Sequence, residues 1–142
     1  MSRFVMDACV AVKWLVSEEH SDAAIHLVRQ NHDMIAPGLF LSEIANVLWK
    51  KCQQGQIDGV KARKALRGLA GAGIEIHTAA SLVCDALDIS LAQGCSVYDS
   101  VYLALAAREQ CPLVTADRKF IAMMDSTEFA QRIVWIEHAK EL

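Results

Sequence analysis

Tyr98-Asp99-Ser100-Val101-Tyr102-Leu103-Ala104-Leu105-Ala106-Ala107-Arg108, followed after four intervening residues by Leu113-Val114-Thr115, is the stretch that decides the fold. Val101 to Ala107 is so apolar that the predicted helix has no polar face to turn to water, so it must be buried on most sides. The run after it shows little alternation of apolar and polar residues. That is the mark of a strand covered on both faces.

The same strand-and-helix unit recurs along the chain. Arg3-Phe4-Val5-Met6 reads as a strand that ends at Asp7, and residues 10–16 and then about 20–31 read as helices. Met34-Ile35-Ala36 is a second strand, stopped by Pro37-Gly38. Leu39 to about Lys51 has helical spacing at 41, 44, 45 and 48, and its two terminal lysines suit the negative end of the helix dipole. Asp58 opens a basic helix to about Leu69, closed by Gly71 and Gly73. Ile74-Glu75-Ile76 is a third strand. Thr78 is expected to cap a helix with Leu82, Val83, Ala86, Leu87 and Ile89 on its inner side, ended by Gly94. A helix follows from about Asp117, and Ile133-Val134-Trp135-Ile136 makes a fifth strand. This order predicts a three-layer α/β/α domain with a central parallel sheet of about five strands, spanning 1–142 as one domain.

Composition narrows the function. At 142 residues the chain is the size of one domain, and 54% hydrophobic with 22% charged residues excludes intrinsic disorder. Lys+Arg 14 against Asp+Glu 17 leaves a net charge of −3, the wrong sign for a non-specific polyanion binder, so any basic footprint must be local. The five cysteines at 9, 52, 84, 95 and 111 have neither zinc-knuckle nor Cys-x-x-Cys spacing and read as small buried thiols in a reducing cytoplasm. Asp7 interrupts the first apolar run, so no secretory signal is expected, and no stretch suits a membrane span. A soluble, cytoplasmic protein is expected. The mean hydropathy of +0.23 is high and predicts exposed apolar surface that a partner covers.

In open parallel sheets, sites form beyond the carboxyl ends of the strands. Asp7 follows the first strand, Asp117 follows the fourth, Asp99 starts the buried helix, and Glu43 lies in the first turns of the helix after the second strand. Each aspartate could simply cap a helix, and Glu43 could be an edge-of-core side chain. Together, four carboxylates at one edge repel, and a divalent cation with oxygen ligands is the natural compensation. Such a cation suits phosphoryl chemistry. The five histidines are scattered, with no His-Glu-x-x-His pair, and neither a phosphate loop nor a serine elbow is present.

Four motifs carry a resemblance. They are Val5-Met6-Asp7-Ala8-Cys9-Val10-Ala11-Val12-Lys13-Trp14-Leu15, then Ala36-Pro37 with Ser42-Glu43-Ile44-Ala45-Asn46-Val47-Leu48-Trp49-Lys50, then Tyr98 to Ala106, then Leu113-Val114-Thr115-Ala116-Asp117-Arg118-Lys119-Phe120. In this order, from residue 4 to about 136, the chain resembles the PIN-domain ribonucleases, and among them the VapC-like toxins of toxin–antitoxin pairs. The resemblance implies a Mg²⁺- or Mn²⁺-dependent endoribonuclease acting on RNA, with Asp7, Glu43, Asp99 and Asp117 as the acidic, metal-holding site. It also implies a homodimer inhibited by a small antitoxin protein. Thr115 is expected to orient Asp99, Asp117 or a metal-bound water, and Asn46, one turn beyond Glu43, either does the same or is simply a helix-face amide. Many relatives carry Ser or Thr where this chain has Cys9, and a thiol is the weaker hydrogen-bond partner.

The alternatives are a PIN nuclease of RNA maturation without an antitoxin, and a catalytically silent binding module of the same fold. An aspartyl phosphatase would need a second Asp at position 9, where Cys9 stands. Lys61, Arg63, Lys64 and Arg67, with Lys50 and Lys51 before them, read either as a solvated face or as a phosphate track. Arg118 and Lys119 adjoin Asp117 and are better placed. Trp14, Trp49 and Trp135 read as core residues, although Trp14 and Trp49 are on helices flanking the cleft, a surface that in the resemblance serves dimer or antitoxin contacts.

Overall fold

The computed structural model describes residues 2–142. The first strand, β1 (Arg3–Met6), buries Phe4, Val5 and Met6 completely. Successive strand side chains point to opposite faces, so three buried in a row require cover on both sides of the sheet. The chain continues through α1 (Ala8–Leu15), α2 (Ser21–Arg29), β2 (Asp33–Pro37), α3 (Phe40–Gln53), α4 (Gly59–Ala70) and β3 (Glu75–His77). It ends with α5 (Ala80–Gln93), α6 (Val97–Arg108), β4 (Leu113–Thr115), α7 (Arg118–Met124) and β5 (Ile133–Trp135), the last strand lying between short 3-10 turns.

The five strands are all parallel, in the order β3-β2-β1-β4-β5. This is the expected α/β/α architecture. α6 crosses β1, β2 and β4 with every residue from Ser100 to Ala106 buried, and α5 covers it from outside. α1 packs over β4 and gathers α2 and α3 around it, with α4 against α3. The chain adds β2 and β3 on one side of β1 and β4 and β5 on the other. The order therefore reverses between β1 and β4, and a crevice opens there at their carboxyl ends. The register Met6↔Val114 places the next residues, Asp7 and Thr115, side by side in it.

The opposite edge of the sheet is electrostatically closed. Arg3, opening β1, bonds Asp33 at 3.0 Å, Glu109 at 3.2 Å and Glu75 at 3.5 Å. The acids at the amino ends of the strands thus share a cation.

Several details differ from expectation. Pro37 is the last residue of β2 rather than a stop beyond it, since a strand's end can spare its N–H. Thr78 does not cap α5, which starts at Ala80 with no side-chain cap. Only Leu82 and Ala86 of α5 are buried. Val83 and Leu87, expected inside, are 54% and 49% exposed because α5 rests on the one helix beneath it and buries a narrow stripe. Cys95 and Cys111 are buried as expected, but Cys84 is exposed on the same outer face of α5. No helix among the described residues is long and apolar enough to cross a membrane.

Candidate active site

Asp7 stands at the N-cap position of α1 but makes no side-chain cap hydrogen bond. Its Oδ2 instead accepts the Thr115 hydroxyl at 2.7 Å across the β1–β4 crevice. Thr115 is fully buried at the end of β4, and its Oγ1 accepts the Asp117 backbone N–H at 3.1 Å. A hydroxyl has one proton to give, and here that proton goes to Asp7. Cys9, the second residue of α1, accepts the Ala116 N–H at 3.4 Å and lies 3.7 Å from Thr115 Oγ1. Its single S–H is left for Thr115 or for the Asp7 carboxylate. The expectation that Thr115 would orient Asp99, Asp117 or a water is thus corrected in part. Its proton serves Asp7, and it touches Asp117 only through the backbone.

The other two aspartates differ in whether they cap a helix. Asp117 does cap α7, accepting the Phe120 N–H at 3.1 Å. Asp99 does not cap α6, because Ser96 takes that position and accepts the Asp99 N–H at 3.1 Å. The Asp99 carboxyl is left on the rim of the crevice. Glu43 comes from the first turn of α3, and its Oε1 is buried with no hydrogen-bond partner.

The electrostatics join these four side chains. Burial pushes the Asp7 carboxyl above the usual range, with Asp99 adding repulsion and the Thr115 and Cys9 side chains working against it. Burial raises Glu43 to about 7, opposed by the Tyr102 hydroxyl and reinforced by Asp7 and Asp99. Asp99 is raised by partial desolvation, held back by Ser96 and pushed further by Asp117. Asp7, Glu43 and Asp99 therefore each feel at least one other of the four acids, and among the described residues none of the four forms an ion pair with Lys, Arg or His. The contrast with Arg3 and its three acids is direct. One edge of the sheet is neutralised and the other is not.

Sequence reasoning missed Tyr102. It lies three residues after Asp99 on α6, is 2% exposed, and brings its hydroxyl to Glu43 without closing a well-formed hydrogen bond. Burial, with Glu43 and Asp7 nearby, drives its pKa up, so it stays a neutral donor. A tyrosine one turn beyond Asp99, at the head of the aliphatic run that follows it, was the available signal. Asn46 is exposed on α3 and makes no hydrogen bond among the described residues.

The donor set fits a hard divalent cation: crowded, unpaired carboxylates, one with an orphaned buried oxygen. No three His, Cys, Asp or Glu side chains among the described residues are gathered closely enough to close a ligand shell alone. Mg²⁺ commonly keeps several waters and takes only one or two carboxylates, so a closed protein cage is not required.

The basic features divide. Lys51 is held by Glu18 at 2.9 Å, and Lys13 shares the same acid at 3.1 Å, so Lys51 is structural. Lys61, Arg63, Lys64 and Arg67 are exposed on α4, where Lys61 and Lys64 border a groove with Trp14 and Leu15. Trp49 is 56% exposed rather than core. Trp135 is partly exposed, and Arg118 lies over its ring at 4.2 Å.

A parallel sheet with crowded acids at its switch point defines an acidic-cleft α/β domain, and residues 4–124 match the PIN domain family; the chain belongs to it. Ribonuclease VapC3 of Pyrobaculum aerophilum is 32% identical over 119 residues, covering 82% of this chain and 91% of that protein. The crystal structure of PAE2754 from the same organism superposes with a TM-score of 0.72 at 23% identity, covering 96% of this chain and 85% of that one. VapBC2 of Rickettsia felis, solved bound to a DNA fragment from its promoter, gives a TM-score of 0.67 at 14% identity over 94% of this chain and 98% of that one. The latter two likenesses speak for the fold.

Proposed function

We propose that this PIN domain is a Mg²⁺- or Mn²⁺-dependent endoribonuclease and the toxin of a toxin–antitoxin pair. The observation that carries the reading is the uncompensated group Asp7, Glu43, Asp99 and Asp117 at the switch point of a sheet whose other acidic edge is neutralised by Arg3. The relative named Ribonuclease VapC3 supports RNA as the substrate, and the VapBC2 neighbour supports an antitoxin partner.

Asp7, Glu43, Asp99 and Asp117 would hold the cation, which when bound polarises the phosphate and lowers the pKa of an attacking water. The chain's own residues do the rest. Thr115 fixes the rotamer of Asp7 through Oδ2 and leaves Oδ1 for the site. Asp117 is held by its own cap to Phe120. Glu43 keeps one buried oxygen that no protein group satisfies, available to the cation or to a water it would hold. Tyr102 places a neutral hydroxyl beside Glu43.

Two partners belong to the reading. Val83, Leu87 and Leu91, spaced four apart along α5, are all exposed and form an apolar stripe that a second copy of the chain would cover. A small antitoxin would mask the acidic cleft. The deciding experiment incubates the purified protein with cellular RNA in Mn²⁺ and in chelator, then maps new ends. Discrete metal-dependent ends are expected. Intact RNA under both conditions would overturn the enzymatic reading and favour a silent binding module.

A further inference from the structure

Arg118 is a cation beside four unpaired acids, yet it pairs with none of them. It follows Asp117 directly, and its guanidinium lies over the Trp135 ring instead, 4.2 Å from the centroid. The ring is itself held. His20 meets it edge-on, with centroids 5.0 Å apart and planes at 81°. His20 Nδ1 is 2.6 Å from Glu137 Oε1. The platform is thus built from three separate places: the junction before α2, the end of β5 and the turn after it.

Its location relates it to the crevice. Trp135 pairs in register with Thr115, the residue that holds Asp7. β5 is the edge strand of the sheet, so no further strand lies beyond this flank, and Arg118 is exposed there. Stacking occupies one face of a guanidinium and leaves its in-plane N–H donors available. No other residue takes them among the described residues. Lys119, exposed beside it, adds a second positive charge. A strand of phosphates approaching four carboxylates is repelled, and the net charge of −3 gives no general attraction. A planar cation held off the acids, yet one residue from them, is what such a strand needs next to the cleavage position.

We propose that Arg118, held flat by Trp135, is a phosphate-binding subsite for the RNA strand on the β5 side of the carboxylate cluster, with His20 and Glu137 as its support. The inference rests on the ribonuclease reading for the identity of the strand. Trp135 acts here through Arg118, as a positioning residue.

The test uses the full chain and a fluorescein-labelled single-stranded RNA of about eight nucleotides, bound in chelator so that affinity is read without cleavage. R118A is expected to bind roughly tenfold more weakly, the loss of one charge-assisted contact. The slope of log affinity against log salt should fall by about 0.7, the release tied to one phosphate of a single strand. In cleavage with Mn²⁺ the loss should appear chiefly in KM. R118K should recover part of the affinity, since the charge remains without the planar stack. W135A should weaken binding in the same sense, and the double variant should be little worse than R118A alone. Arg29→Ala, an exposed arginine at the end of α2, controls for the loss of one positive charge.

R118A with wild-type affinity and salt slope overturns the proposal, as does equal weakening by Arg29→Ala. An unchanged KM with a fall confined to kcat also overturns it. If R118A loses affinity for an acidic peptide but not for RNA, the subsite belongs to a protein partner and the proposal fails. A wild-type protein that binds RNA through Arg118 but never cuts it leaves the subsite standing and sinks the nuclease reading.

Discussion

Thr115 donates its hydroxyl proton to Asp7 across 2.7 Å, joining the ends of β4 and β1 where the strand order reverses. The same oxygen accepts the Asp117 N–H, so one buried atom sets both the orientation of the first acid and the path of the chain into the last. Changing Thr115 to Val preserves its shape, strands a buried carboxylate without its donor and strands an N–H without its acceptor. Each orphaned group costs about 1–3 kcal/mol. T115V should melt lower and cleave about 10–100-fold more slowly, as expected when a partner of a metal ligand is lost. T115S should restore most of the rate. Full activity in T115V would remove the hydroxyl from the site.

Asp7 tests the site against the plain capping role. It forms no geometric cap bond to α1, and Asn can accept from Thr115 and Cys9 as Asp does, so D7N should cost the helix little. The expected outcome is loss of RNA cleavage with an unchanged circular dichroism spectrum. An unfolded D7N protein would instead assign Asp7 to structure.

Much of this was legible in the sequence, for reasons particular residues make clear. The unbroken apolar run from Val101 to Ala106 is buried because only a helix under a sheet and behind another helix can hide it. Phe4-Val5-Met6 lacks alternation because both of its faces are covered. The four acids stand at strand ends and helix starts, which a linear reading can place. Tyr102 and the Trp135–Arg118 stack were not legible. One looks like any core aromatic, and the other depends on the β4–β5 register, which brings residue 135 beside 115. The outer face of α5 was misjudged because apolar spacing alone cannot say how many neighbours a helix has. Val83 and Leu87 keep about half of their surface in solvent.

That face carries the next prediction. Val83, Leu87 and Leu91 are 54%, 49% and 77% exposed and line one side of α5 at helical spacing. Light scattering should give a mass above the 15.6 kDa of one chain. Leu87→Glu, which buries nothing in the monomer core, should shift the mass toward one chain while leaving the melting transition cooperative. A monomer at every concentration, with no captured protein partner, would count against association through α5.

Metal and pH act on the fold through the same carboxylates. Asp7, Glu43 and Asp99 all have folded pKa values above their ordinary ones, chiefly from burial and then from each other or Asp117. Groups shifted this way cost nothing at low pH, where they are protonated in both folded and unfolded chains. The cost begins as pH rises through the unfolded value near 4 and is complete above the folded value, which for Glu43 is about 7. In chelator, stability should therefore decline between about pH 4 and pH 7 as far as these groups determine it. At neutral pH Mn²⁺ should restore it by mass action, by about 2.7 kcal/mol at a hundredfold excess over its dissociation constant. D99N should melt higher than the wild type in chelator and gain less from metal, because repulsion on Asp7 and Glu43 is already relieved. Capping cannot produce this pattern, since Ser96 and not Asp99 caps α6. Thermal melts of both proteins at neutral pH, with chelator and then with millimolar Mn²⁺, decide the matter. A wild-type transition that metal leaves unmoved would take away the main physical support for a cation in the crevice.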